Sequence, residues 1–288
     1  MSAASFPTIE FRSPTNPAPI PTLPPNPNER AIARFSLHGK KAIVTGGARS
    51  LGLSSATALL EHGLTVLCIL DSNLANAQAT TGDLVALFIQ ARIIFKQLDV
   101  ADEVRVKEAV GWAVDTMDGV DVLLCAAGIA GVKDSLEIGG DEWKRMLDVN
   151  LNGSFFCAQA VAKSMIARQT PGSIIFIASI SGHTTNFPQP QVSYNVSKAG
   201  VIHMTHSLAV EWAKYNIRVN SISPGYMDTA MNEGEHLDEA KKIWFVRTPR
   251  ARMGSKEELS GCVVLLASQA GSFMTGADLI VDGGTTLI

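Results

Sequence analysis

Seven short apolar runs constrain this chain more than any other feature: KAIVT (41–45), LTVLCIL (64–70), RIIF (92–95), VDVLLCA (120–126), SIIFIA (173–178), IRVNSI (217–222) and DLIVD (278–282). Turn signals bound them, and their length and aliphatic content mark strands. Stretches with helical periodicity lie between, clearest at Leu51–His62, Glu103–Met117, Trp143–Ala167, Ser193–Lys214 and Lys256–Ser268. Continuous apolar strands alternating with helices form a parallel sheet covered on both faces. The expected fold is therefore α/β: one doubly wound domain with a seven-stranded parallel sheet. Its ligand site should lie beyond the strand C-terminal ends, where strand order reverses.

A chain of 288 residues, 46% hydrophobic, supplies the core for one such domain, expected over 35–288. Eight of the 13 prolines fall between Pro7 and Pro27. Residues 1–34 are thus expected to form an extended or disordered arm, with Phe6, Ile9 and Phe11 offering apolar surface for a partner subunit. Lys plus Arg number 24 against 27 Asp plus Glu, a formal charge of -3. No basic field exists to gather nucleic acid or an anionic membrane. Cys68, Cys125, Cys157 and Cys262 stand far apart in apolar stretches, as buried thiols of a reducing compartment do, and suggest neither disulfides nor a metal site. With neither a membrane-length apolar run nor a signal-peptide pattern at the N-terminus, a soluble, cytoplasmic protein is expected.

TGGARSLG (45–52) follows the first strand and opens a helix. In that context small residues let the backbone approach a pyrophosphate, whose charge meets free N–H groups at the helix N-terminus. Gly46, Gly47 and Gly52 suit this geometry, Leu51 lies within the turn, and Ser50 suits it if its φ is negative, its hydroxyl then donating to a phosphate oxygen. The same stretch also suits a tight strand-to-helix turn with no ligand. Asp71, 19 residues after Gly52, ends the second strand at the spacing of a carboxylate that accepts from adenosine ribose hydroxyls, which favours NAD. Arg49 beside the cradle can pair with a 2′-phosphate, which favours NADP. Asp71 equally suits an N-cap for the segment starting at Ser72. Asp99, followed by Val100 after the third strand, suits either an adenine contact or a cap for the next helix.

YNVSK places Tyr194 and Lys198 at i and i+4 on one helix face. A phenol titrates near pH 10, and lowering that by about three units takes roughly 4 kcal/mol of preferential phenolate stabilisation. Lys198 and an oxidised nicotinamide are two positive charges able to provide it. Tyr194 can then give a proton to a ketone oxygen as hydride arrives, or take one from an alcohol in reverse. Ser179, ending the fifth strand, can hold the same oxygen. Asn150 sits in LDVNLNG on the preceding long helix, as a site residue or as a polar residue that bends the helix. A Ser–His hydrolase built on Ser179 and His183 lacks the GxSxG elbow and an acid partner.

These features together resemble the short-chain dehydrogenase/reductase family: TGGARSLG, Asp99, CAAG (125–128), Asn150, Ser179, Tyr194 with Lys198, and SPGYMDT (223–229), in family order over about residues 36–288. The resemblance implies a single Rossmann-type domain, NAD(P)(H) as cofactor, ketone–alcohol interconversion, and an Asn150, Ser179, Tyr194, Lys198 tetrad. It further implies that Lys198 holds the nicotinamide ribose, that Asn150 holds a water in a proton relay, and that Ala127 and Gly128 border the cofactor. Pro224, Gly225, Met227 and Thr229 would border the nicotinamide carboxamide and phosphate. A homotetramer, or failing that a homodimer, is the implied assembly. The chain departs from the family pattern at Ser50, where glycine is usual, and at Ala126, where an asparagine usually ties adjacent strands.

Within the family, the segment SISGHTTNFPQPQVSYNVSKAG, the stretch SLAVEWAKYNIRVNSISPGYMDT and the ending TGADLIVDGG are similar to the fungal polyol dehydrogenases and ketose reductases that act on mannitol, arabinitol or sorbose. His183 and Gln189 are candidate contacts to a polyhydroxylated substrate. A helical lid is expected over about 226–250, made partly apolar by Met227, Met231, Trp244 and Phe245. An apolar lid suits a larger secondary-metabolite ketone as well as a sugar. A protein that binds NAD(P)H without catalysis is the third reading, against which Tyr194, Lys198 and Ser179 stand.

Overall fold

All seven apolar runs form strands: β1 (Lys41–Thr45), β2 (Val66–Asp71), β3 (Arg92–Gln97), β4 (Val122–Cys125), β5 (Gly172–Ile177), β6 (Ile217–Pro224) and β7 (Asp278–Val281). The computed structural model describes residues 7–229, 232, 234 and 237–288. The strands form one parallel sheet in the order β3-β2-β1-β4-β5-β6-β7. From β1 the chain winds outward through β2 to β3, then returns to place β4 on the other side of β1. This reversal opens a crevice past the ends of β1 and β4.

The helices are α1 (Pro27–Phe35), α2 (Ser50–Glu61), α3 (Leu74–Leu87), α4 (Glu103–Met117), α5 (Gly140–Leu147), α6 (Gly153–Ala167), α7 (Val192–Trp212), α8 (Asp238–Arg247) and α9 (Glu257–Ala267). Side-chain alternation divides the core in two. Ile43, Leu123, Ile174 and Phe176 face α4, α6 and α7, while Ala42, Val44, Leu124 and Ile175 face α2, α3 and α9. Every residue of β2 and β4 is buried, which is why these strands read as unbroken apolar runs. Each fully buried aliphatic side chain here stabilises the fold by about 1.5–3 kcal/mol.

Three local features differ from the sequence reading. The helix expected at Trp143–Ala167 starts earlier and is interrupted at Asp148–Asn152 by a π turn, in which the Gly153 amide donates to the Asp148 carbonyl. α3, which the sequence marks only as a segment starting at Ser72, is weakly patterned because the side chains it buries, Ala77, Thr81 and Leu84, include only one large aliphatic. At the N-terminus, residues 7–26 contain neither helix nor strand, but Pro27–Phe35 is helical where an extended arm was expected. Asn26 caps this helix by accepting from the Asn28 amide, and Pro27 occupies its first turn, where a missing N–H costs nothing. Ahead of it, the Glu10 carboxylate meets Lys214 at the far end of α7 at 3.1 Å.

Cys68, Cys125 and Cys157 are buried, and Cys262 is half-buried. No helix among the described residues is long and apolar enough to cross a membrane.

Candidate active site

A cavity of about 800 Å3 occupies the crevice where strand order reverses. Its floor begins at the turn after β1, where Gly46 takes φ +65°. A side chain at Gly46 would press to 2.7 Å from the Ala127 backbone, and one at Gly52 would overlap the Gly46 carbonyl, so the close approach of this turn to α2 and to the end of β4 requires both glycines. The first α2 amide bonded back into the chain is that of Leu53, to the Arg49 carbonyl; those of Ser50, Leu51 and Gly52 stand ahead of it, and all three residues line the cavity. Free amides at a helix N-terminus, reached over a glycine turn, are what a pyrophosphate requires.

The condition stated for Ser50 is not met. Its φ is +50°, not negative, so a side-chain-bearing residue occupies the left-handed region that glycine favours. Strain of about 1–3 kcal/mol is stored there.

Asp71 is 6% exposed and lines the cavity. One carboxylate oxygen accepts from the Ala48 amide (3.1 Å) and the other from the Asn73 amide (2.9 Å), which fixes the carboxylate against the cradle. It does not cap α3; Asn73 does, accepting from the Asn76 amide. Nor does Asp99 cap α4, a task taken by Asp102. Asp99 accepts from the Ala101 amide and pairs with Arg145 of α5 at 3.0 Å beside the cavity. Val100, Ala127, Gly128, Pro224, Gly225, Met227 and Thr229 also line the wall. Ala126 has no side chain to tie strands; Thr45 joins the ends of β1 and β4 instead, its carbonyl accepting from the Ala126 amide and its hydroxyl from the Ala127 amide.

At the middle of the cavity stand Ser179, Tyr194 and Lys198. Ser179 follows β5, accepts from the Ser181 amide (3.1 Å) and donates to the Ser181 hydroxyl (3.0 Å), so its oxygen is held in place. Lys198 lies one turn beyond Tyr194 on α7, its Nζ 5.7 Å from the centre of the tyrosine ring and donating to the Ile177 carbonyl at 2.8 Å. Burial lowers the Lys198 ammonium to about 8. Burial raises the Tyr194 phenol above its ordinary value, with Ser179 opposing the rise.

Asn150 is buried inside the π turn and does not line the cavity. Its side chain accepts from the Ile129 amide and donates to the Ile129 carbonyl, both at 2.9 Å, and to the Ser197 hydroxyl at 3.1 Å. It therefore pins the loop after β4 to α7. Its own carbonyl accepts from the Ser154 hydroxyl at 2.9 Å. Interruptions of this kind often accompany functional sites, because they free a backbone group from the helical ladder.

Two substrate-side expectations need correction. His183 turns away from the cavity, its Nε2 lying 2.7 Å from Asp278 of β7 and 3.3 Å from the Ser223 hydroxyl. Trp244 and Phe245 do not line the cavity; Trp244 is buried, stacked on Tyr226 at 4.1 Å, and donates from Nε1 to Gln189 Oε1 at 3.0 Å. Met227 lines the cavity as expected, together with Tyr226 and Leu237, and Met231 lies outside the described residues. Gln189 lines the cavity as expected, joined by Asn186, Gln191, Asn232 and Arg145, which the sequence reading missed. No fixed spacing relates these residues to a recognisable motif, so only the folded loops bring them together.

Comparisons with known proteins agree on the type of molecule. Residues 46–286 match the family model described as enoyl-(acyl carrier protein) reductase. The chain is 40% identical over 256 residues to galactitol 2-dehydrogenase of Rhizobium johnstonii, covering 88% of this chain and 97% of that one. It is 36% identical over 273 residues to NADP-dependent mannitol dehydrogenase of Hypocrea jecorina, covering 94% and 99%. Among solved structures, gluconate 5-dehydrogenase of Burkholderia cenocepacia, in complex with NADP and tartrate, superposes with a TM-score of 0.84 at 33% identity, over 90% of this chain and 99% of that one.

Proposed function

Because the chain belongs to the short-chain dehydrogenase/reductase family, we propose that it interconverts a ketose and the corresponding polyol, with Tyr194 as the acid and base. The observation that carries this reading is the meeting of Ser179, Tyr194 and Lys198 in one cavity with a glycine-turn phosphate cradle. When bound, a nicotinamide dinucleotide supplies or accepts the hydride. The chain's own residues manage the proton and the oxygen. The Ser179 hydroxyl, fixed by Ser181, holds the substrate oxygen; Tyr194 Oη gives that oxygen a proton in reduction and removes one in oxidation. Burial keeps the phenol protonated at neutral pH, the state reduction needs. Lys198, whose ammonium is held to the Ile177 carbonyl, provides the positive charge that favours phenolate in the reverse direction.

Asn150 acts in this scheme through position: it fixes the loop after β4 against α7. For the cofactor, the reading is NAD(H). Asp71, read as the ribose contact, is buried and held by backbone amides, whereas Arg49 is exposed, so on this reading the carboxylate's repulsion of a 2′-phosphate outweighs a solvent-screened attraction. This separates the chain from its relative named as NADP-dependent. A larger apolar ketone has less support, since Trp244 and Phe245 do not line the cavity, although Tyr226, Met227 and Leu237 do. Exposed Ile280 on the edge strand β7, with exposed Phe273 near it in sequence, supports self-association there, as a homotetramer or homodimer.

Absorbance at the nicotinamide band, followed with fructose, sorbose, ribulose and their polyols, tests the reading. Turnover should fall by about 100- to 10,000-fold in Tyr194→Phe while cofactor affinity stays within a few-fold. Undiminished turnover in that variant would remove Tyr194 from the mechanism.

A further inference from the structure

The two halves of the cavity differ in charge. Among the described lining residues, Arg49, Asp71, Asp99 and Arg145 belong to the cofactor half and Lys198 to the reacting centre. The substrate half carries Ser181 and the side-chain amides of Asn186, Gln189, Gln191 and Asn232, and no charged group. Two of these amides are already engaged as donors: Asn232 Nδ2 to the Met227 carbonyl at 2.8 Å, and Gln191 Nε2 to the Gly131 carbonyl at 3.3 Å. Gln189 Nε2 donates to nothing within the described residues, and the Asn186 amide meets only the Tyr226 hydroxyl.

Trp244 Nε1 can only donate, so its partner on Gln189 must be the amide oxygen, and the Gln189 NH2 is left free to donate. Asn186 Oδ1 is shielded from solvent and accepts no hydrogen bond within the protein. A buried acceptor without a partner is costly unless a ligand completes it. The four residues form a linked set. The Asn186 side chain meets the Tyr226 hydroxyl, Tyr226 stacks on Trp244 with ring planes 10° apart, and Trp244 holds Gln189.

We infer that Asn186 and Gln189 form a hydroxyl-reading pair, one offering an acceptor and the other donors, that selects an uncharged polyhydroxylated chain over a sugar acid or phosphate, with Trp244 as the positioning residue for Gln189. A hydroxyl both donates and accepts, so it complements the pair; a carboxylate or phosphate accepts only, would leave Asn186 Oδ1 unpaired, and would find no cation among the residues lining this half of the cavity, since Arg247 lines only the small adjoining pocket. The inference rests on the ketone–alcohol reading above.

The experiment uses the full chain and three classes of ketone: a ketose (the fastest of fructose, sorbose and ribulose), 5-ketogluconate as the acid, and 2-butanone, which lacks distal hydroxyls. Wild type should favour the ketose over the acid by about 100-fold in kcat/KM. Gln189→Leu and Asn186→Leu should each raise KM for the ketose about tenfold, with kcat for the ketose and all constants for 2-butanone within about threefold of wild type. Trp244→Phe keeps the aromatic stack but loses the N–H, and should raise ketose KM by about three- to tenfold with the same indifference to 2-butanone. Equal losses on ketose and 2-butanone, or a wild type that takes the acid as readily as the ketose, would overturn the inference and leave the ketone–alcohol reading standing. Failure of wild type to turn over any of the three would instead overturn that reading, and the inference with it.

Discussion

At the end read as the cofactor seat the cavity is shaped mainly by backbone, and at the end read as the substrate seat it is made of side chains on loops. The cradle depends on the approach of Gly46 to Ala127 and of Gly52 to Gly46, and even Asp71 is held by the amides of Ala48 and Asn73. The opposite end depends on Trp244 reaching Gln189 across 55 positions of sequence, and on the loop after β4 joining the loop before α7 through the Lys133 amide and the Pro190 carbonyl. The contrast shows how one fold keeps a fixed cofactor seat while its substrate seat varies: the first is a property of strand ends, the second of whichever side chains the loops present.

The largest effect that would break this contrast is a cofactor-end substitution that spares the substrate end. Asp71→Ala should shift the ratio of kcat/KM for NADPH to that for NADH upward by about 100-fold, roughly 3 kcal/mol, with ketose KM unchanged. An unchanged ratio would show that the buried carboxylate does not select the cofactor.

Between the two ends, Lys198 should report its burial through the pH dependence of stability. Its ammonium titrates at about 8 in the fold against an ordinary value of 10.5. Between those values the unfolded chain binds more protons than the folded one, so this group makes stability rise with pH; below about 8 its burial penalty is present in full. Denaturant unfolding of wild type should therefore gain on the order of 1–2 kcal/mol relative to Lys198→Met on going from pH 8 to 9.5. Parallel curves for the two proteins would contradict the depressed value.

The smallest effect separates strain from binding within the cradle itself. Ser50→Gly should relax the φ of +50° and stabilise the chain by about 1 kcal/mol, raising Tm by about 2 °C. If the Ser50 hydroxyl meets a phosphate, the same change should weaken dinucleotide binding a few-fold by titration of NADH fluorescence. A more stable protein with unchanged affinity would leave Ser50 without a ligand role.

The same contrast explains which parts of the molecule were legible in the sequence. The strands were, because burial on both faces writes each as an apolar run, as in VLCILD at β2. Tyr194 and Lys198 were legible because one helical turn converts a sequence interval into proximity, and the cradle because it follows a strand directly. The left-handed φ of Ser50 had one sign only, the glycine usual at that position in the family, since a serine itself does not announce it. His183 and Trp244 carried no local sign of where they would turn: a partner 95 positions away decided the first, Asp278, and a stack on Tyr226 the second. α1 is the converse case, since Asn26 and Pro27 are ordinary start signals that the surrounding prolines obscured.

The π turn at Asp148–Asn152 has one further consequence, which concerns counting. For the side chains on either side, it acts as one residue inserted into a helix, which turns α5 against α6 by about 100°. With that phase in place Arg145 on α5 meets Asp99, while Cys157 and Val161 on α6 pack in the core. Removing a single residue from DVNLN would leave a respectable helix with its two halves out of step. At this point the protein is sensitive to the number of its residues as well as to their kind.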